Sequence, residues 1–98
     1  MSTEITMDDI PRINTVKVNG NINPKKDGLA VVVDGHQGYI FEVYEGEDGL
    51  PRRERIVIVF KNPHPDFGKE FVTKYYGIDK PGYMHWGGGD DMRLERSE

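Results

Sequence analysis

Three histidines are the residues in this 98-residue chain best suited to chemistry near neutral pH, and each has an acid close by in sequence. His36 follows Asp34, His64 precedes Asp66, and His85 precedes Asp90 and Asp91. Imidazole beside carboxylate can move protons or hold a metal ion. A zinc site needs two or three imidazoles converging with a carboxylate at about 2.0 to 2.2 Å from the ion, whereas these spacings are wide and match neither H-x-H nor H-E-x-x-H. They read as surface histidines in loops. Hydrolysis by serine has less support, because the only serines, Ser2 and Ser97, fall in expected tails where no scaffold would hold a nucleophile against its base. With no cysteine there are no disulfides, thiolate ligands or thiol nucleophiles. No cofactor motif stands out, and the chain is expected to act without catalysis or cofactor.

Charged residues carry the next signal. Glu42, Glu45, Glu47 and Asp48 lack the alternating oxygen ligands around a central glycine that a compact calcium loop uses. Pairing across a hairpin explains them better. A turn centred on Gly49-Leu50 sets Glu47 opposite Arg52 and Glu45 opposite Arg53 or its neighbour, each such pair contributing roughly 0.2 to 1 kcal/mol. Arg52, Arg53 and Arg55 are also the one hint of nucleic acid, since guanidinium forks bind phosphates and Tyr39, Tyr44, Tyr75 or Tyr76 would stack bases. The charge distribution argues against that reading. Of the net −4, residues 1–12 carry −2, residues 13–86 carry 0 and residues 87–98 carry −2, so the folded part is neutral.

A late aromatic cluster, Tyr76, Tyr83 and Trp86, stands beside the glycines at 87–89. Tyrosine, tryptophan and arginine dominate interface hot spots because they bring large contact area at low ordering cost. Two partner-binding surfaces follow: the Gly46–Arg55 hairpin with Arg52, Arg53 and Arg55, and the patch around Tyr76, Tyr83 and Trp86. A core of this size also needs its aromatics, so each one singly is as well explained by packing.

The elements that must position these residues are β-strands. Asn19-Gly20, Asp27-Gly28, Asp34-Gly35 and Asp48-Gly49 supply the positive φ angles of tight hairpin turns. Thr15–Val18 alternates and would form a short hairpin with Asn21–Asn23. Leu29–Val33 is an unbroken apolar run, expected to be a strand buried on both faces or crossing the core, and Tyr39–Glu45 should place Tyr39, Phe41 and Val43 in the core. Arg55–Phe60, β-branched and apolar, is the central strand. Residues 66–77 fit two descriptions. Phe67, Phe71, Tyr75 and Ile78 recur at helical spacing with Asp66 and Gly77 as caps, which favours a helix slightly; Phe71–Tyr76 is nevertheless rich in strand-forming residues. Tyr83–Trp86 closes the sheet.

The expected fold is therefore mainly β, or α+β if 66–77 is helical: a small antiparallel sheet or partly open barrel of about five strands with at most one short helix. The succession Val31–Val33, Gly35, Gly38, Ile40 and Ile56–Phe60 resembles the rhythm of SH3-like barrels and of no particular family. Residues 1–12 are expected as a flexible arm, 13–86 as the domain and 87–98 as a flexible acidic tail. No apolar run is long enough to span a bilayer and no signal-peptide pattern opens the chain, so it reads as cytoplasmic, without a membrane partner. The functional expectation is a protein-binding module, an accessory regulator or inhibitor of a partner protein, a class that includes phage-encoded, host-directed proteins. The alternative is a nucleic-acid-binding barrel. An open edge strand would also permit a homodimer.

Overall fold

The computed structural model describes residues 4–18, 21–47, 50–74, 76–87 and 91–97. Two of the four expected turns, Asn19-Gly20 and Asp48-Gly49, lie outside them, as does Tyr75. The fold is mainly β, a curled sheet that forms a half-barrel. Its elements are β1 (Arg12–Asn14), a single-turn helix α1 (Pro24–Asp27), β2 (Leu29–Val33), β3 (His36–Glu47), β4 (Leu50–His64), β5 (Gly68–Thr73), β6 (Gly77–Lys80), β7 (Tyr83–His85) and β8 (Met92–Arg96). The strand order is β5-β4-β3-β2-β8-β7-β6, every neighbour antiparallel, with β1 added parallel to β3. More strands form than the five expected because residues near both chain ends join the sheet.

The turn chemistry holds at Asp34-Gly35, whose φ angles of 47° and 88° join β2 to β3 in the two-residue hairpin that those residue types specify. Asp27-Gly28 acts differently. Asn23 caps α1 by accepting from the Lys25 amide, and Gly28 ends it with φ −92°, so this reversal is a helical turn. The expected Thr15–Val18 strand is also displaced: β1 ends at Asn14, whose side-chain oxygen accepts the Val16 amide at 3.0 Å and bends the chain away.

The helical reading of 66–77 is corrected. Phe71 pairs with Ile58 and Val72 with Val57, so β5 uses period two, and Gly68 with φ 74° cannot begin a helix. Of the helically spaced set, Phe67 sits in the turn before β5, Phe71 on β5 and Ile78 on the following strand, and these three converge on one core. Of the face of β3 expected in the core, Phe41 and Val43 are buried and Tyr39 only half so, and the alternate face is buried as well. Ile40 points into the main core with Ile56, Ile58, Phe60, Val31 and Val33, whereas Phe41 and Val43 join Val57 in a smaller cluster on the other face, covered by Ile13 and Ile22. β2 buries Val31 and Val33 and leaves its alternate residues half-covered, so it is not buried on both faces.

Neither described end is a free tail. Ile5 and Leu94 are fully buried and Ile10 and Met92 nearly so, all in the main core. β8 pairs with β2 through Leu94–Arg96 and with β7 through Met92 and Arg93. Glu4 bridges Glu95, and the Gly82 amide donates to the Ile5 carbonyl at 3.0 Å. Met92-Arg93-Leu94 alternates apolar and polar within an acidic segment, and that single alternation carries the strand. Asp9 then ties the two ends together: its carboxylate accepts the Thr6 amide at 2.9 Å and pairs with Arg96 at 2.7 Å. These contacts, the Thr6 backbone hydrogen bond foremost, hold the Asp9 carboxyl below its ordinary value.

Leu94→Ala should therefore cost about 2 to 5 kcal/mol in urea unfolding, as for a buried leucine in a close-packed core. A cost under about 1 kcal/mol would mean that β8 contributes little to the core. For Asp9, a lowered folded-state pKa means stability that is present above the unfolded value and lost as pH falls through the folded one. Asp9→Asn should lower Tm at neutral pH, and the gap from the parent protein should close as the pH falls below the ordinary aspartate range. A gap that persists in acid would separate the effect from ionisation.

Candidate functional site

β3 and β4 are much longer than the other strands, and they continue as a two-stranded arm beyond the barrel. β5 covers β4 from Ile56 onward, and β1 accompanies β3 only through Glu42–Tyr44. Past those points Glu45–Glu47 pairs with Leu50–Arg52 and, among the described residues, with no third strand. The register runs Val43 to Arg55 and then Glu45 to Arg52, leaving one extra residue on β4. That is a β-bulge, and Arg53 within it adopts φ 53°, a left-handed conformation uncommon outside glycine, asparagine and aspartate. Glu45 falls opposite Arg52, the neighbour of Arg53, as expected, but Glu47 is in register with Leu50 and not with Arg52.

Two sets of charges follow. At the exposed bulge Arg53 reaches Glu45 at 3.5 Å, its side chain 75 % exposed. Nearer the barrel, Arg12 of β1 binds the buried Glu42 at 2.5 Å through Nε and Glu54 at 3.2 Å through Nη2, with its guanidinium carbon 4.7 Å from the centre of the Tyr44 ring. The hydrogen bond to Glu42, reinforced by the carboxylate charges, raises the Arg12 pKa further above its already high value. Asn14 fastens the arm from the side, donating to the Gly46 carbonyl at 2.6 Å. Arg55 is half-buried opposite Val43, and its Nε is enclosed with no hydrogen-bond partner among the described residues. A shallow groove of about 370 Å³ runs along the base of the arm, lined by Arg12, Asn14, Lys17, Asp27 and Tyr44 among others.

Arg52, Arg53 and Arg55 thus share one strand of the arm, the side chain of Arg52 lying outside what is described. Sequence reasoning missed Arg12, Glu42 and Asn14. Arg12 and Glu42 are 30 positions apart, and only the parallel pairing of β1 on β3 brings them together.

Tyr76, Tyr83 and Trp86 do not make one open platform. Trp86 meets Phe71 and Phe67 edge-on, at centroid distances of 5.1 and 5.7 Å, and with Tyr76 it packs against the main core. Tyr83 is half-buried at the start of β7, its ring 4.7 Å from the Lys80 ammonium. The histidines are dispersed in role. His64 is buried, its ring centre 4.3 Å from that of His36 and tilted 57° to it, and its Nδ1 accepts the Asp66 and Phe67 amides, which makes it the cap of a turn. His85 lies 3.3 Å from Asp79. Among the described residues no three His, Cys, Asp or Glu side chains come together to hold a metal.

No model of a known protein family, no characterised protein and no solved structure matches this chain.

Arg12→Ala should leave the buried Glu42 carboxylate without its cation. Because Arg12 is itself half-exposed, the cost should be about 1 to 3 kcal/mol, below that of breaking a fully buried pair. Pairing with Glu42→Gln in a double-mutant cycle should return a positive coupling; additive effects would show that the two side chains act separately.

Proposed function

We propose that this protein is a non-catalytic binding module whose β3–β4 arm docks on a partner protein, as an accessory regulator or inhibitor working in the cytoplasm. The observation that carries the reading is the arm itself: a bulged hairpin that leaves the barrel, pairs with no third strand at its end among the described residues, and presents Arg53 and Glu45 to solvent. Charged side chains, Pro51 and a bulge blunt its edges against indiscriminate strand addition, which favours recognition by side chains over backbone pairing. Alternating carboxylates and guanidinium groups suit a protein surface of mixed charge. They suit a phosphate backbone less well, since Arg12 is matched by Glu42 and Glu54, and Arg53 by Glu45. Among the described residues no helix is long and apolar enough to cross a membrane.

Exchanging the charges in the double variant Glu45→Arg with Arg53→Glu keeps their mutual attraction while inverting what a partner meets. Its Tm should stay close to that of the parent, and affinity for the protein retained in a tagged pull-down should fall tenfold or more, about 1.4 kcal/mol. Unchanged retention would exclude the arm tip. Retention abolished by nuclease, with binding that weakens steeply as salt rises, would replace a protein partner by nucleic acid.

A further inference from the structure

Carboxylates match the arginines of this fold with one exception. Among the described residues Arg12 binds Glu42 and Glu54, Arg53 binds Glu45, Arg93 binds Glu95 and Arg96 binds Asp9, each within 3.5 Å. Arg55 makes no ion pair among them, although it is half-buried. Its Nε is the one nitrogen of the side chain that is enclosed without an acceptor, which leaves Nη1 and Nη2 as the open end. A guanidinium held by its enclosed stem needs little further ordering to bind through that end. Across β3 its register partner is the apolar Val43. On the other side Ile56 pairs with Thr73 and Val57 with Val72. Continuing that register by one residue sets Arg55 beside Lys74, where β5 ends, and alternation puts both on the face of Val57 and Val72. Lys74 is exposed and likewise has no ion pair among the described residues. The neighbouring acids are committed elsewhere, Glu54 to Arg12 and Glu45 to Arg53.

We propose that Arg55 and Lys74 bind a single phosphate group, carried by a small phosphate ester or by a phosphorylated side chain. Charge selects the ligand. A phosphate monoester carries about −1.5 to −2 near neutral pH, which two uncompensated cations balance, whereas a carboxylate would leave one of them unmatched. The planar Nη1–Nη2 pair donates two parallel hydrogen bonds to two phosphate oxygens, and the Lys74 ammonium meets a third as a mobile point charge. A nucleic-acid backbone would need a track of free cations, and Arg12 and Arg53 on either side are already neutralised. The site uses neither Glu45 nor Arg53, so it stands or falls separately from docking by the arm tip.

Heteronuclear NMR of the full chain, titrated with inorganic phosphate against chloride at matched ionic strength, tests the site. The Arg55 Nε–H signal and the backbone amides of Arg55 and Lys74 should shift and saturate at millimolar phosphate, while the Arg53 Nε–H signal stays in place. Arg55→Gln should weaken binding tenfold or more, and Arg55→Lys, which keeps the charge but loses the fork, should weaken it several-fold. Lys74→Ala should also weaken it several-fold. Lys69→Ala, the same loss of charge at an alternate position of β5, should change nothing. Both lysines are exposed, so this pair of variants keeps the test decisive even where an Arg55 variant fails to fold. A blocked phosphoserine peptide that binds more tightly than inorganic phosphate would assign the group to a phosphorylated side chain; binding no tighter would assign it to a small ester. Absence of a saturable shift at Arg55, equal shifts at Arg53 and Arg55, full affinity in folded Arg55→Gln, or equal losses in Lys69→Ala and Lys74→Ala would each overturn the proposal.

Discussion

The shortness of the link between β5 and β6 governs this structure. These strands stand at opposite ends of a seven-strand order, yet only residues 74–76 separate them. Laid flat at about 4.8 Å per strand, the sheet would hold its two edges roughly 29 Å apart. A fully extended link of that length spans only about 14 Å. The sheet must curl, and the natural twist of its strands supplies the sense of the curl. No ladder joins β5 to β6 among the described residues, so side chains fill the seam instead: Phe67 and Phe71 meet Trp86 edge-on, and the Thr73 hydroxyl donates to the Trp86 carbonyl at 3.4 Å.

Closure by curling explains why segments near the chain ends are structural. A half-barrel leaves part of its core uncovered by its own central strands, and apolar side chains from other segments complete it. Ile5 and Ile10 reach the main core from one terminal segment, and Met92 and Leu94 reach it from β8, an interior strand of the sheet. Acidic composition does not prevent this, because in a strand only every second side chain needs to be apolar; Arg93 and Glu95 face away and pair with each other at 2.7 Å. The same economy leaves β3 and β4 free to outrun the barrel, since their far halves are steadied by β1, by Asn14 and by the Arg12–Glu42 contact.

The division of the aromatic residues follows from the seam. Tyr76 and Trp86 have the chemistry of hot-spot residues, but a barrel without a closing ladder needs large, flat side chains at the gap, and that need takes them. At the arm, Arg53 and Glu45 pair with each other at the surface and belong to neither core cluster. The bulge there, with Arg53 held in a left-handed conformation, is a local cost that the barrel core does not require.

Local chemistry in the sequence determined the β class, the Asp34-Gly35 hairpin, the strand at Arg55–Phe60 and the existence of a charged hairpin after Tyr44, because turn residues and β-branched runs act over a few positions. It also placed opposite charges on the two sides of that hairpin, though not the register of Glu47, which falls opposite Leu50. Only the tertiary structure decided the rest. Whether Phe71 belonged to a helix or a strand depended on β4 offering an edge, and whether Leu94 belonged to a tail depended on β2 offering another. The pairing of Arg12 with Glu42 required strands distant in sequence to meet. Those outcomes are set by which open edge and which uncovered apolar surface a segment finds, and that is a property of the assembled sheet.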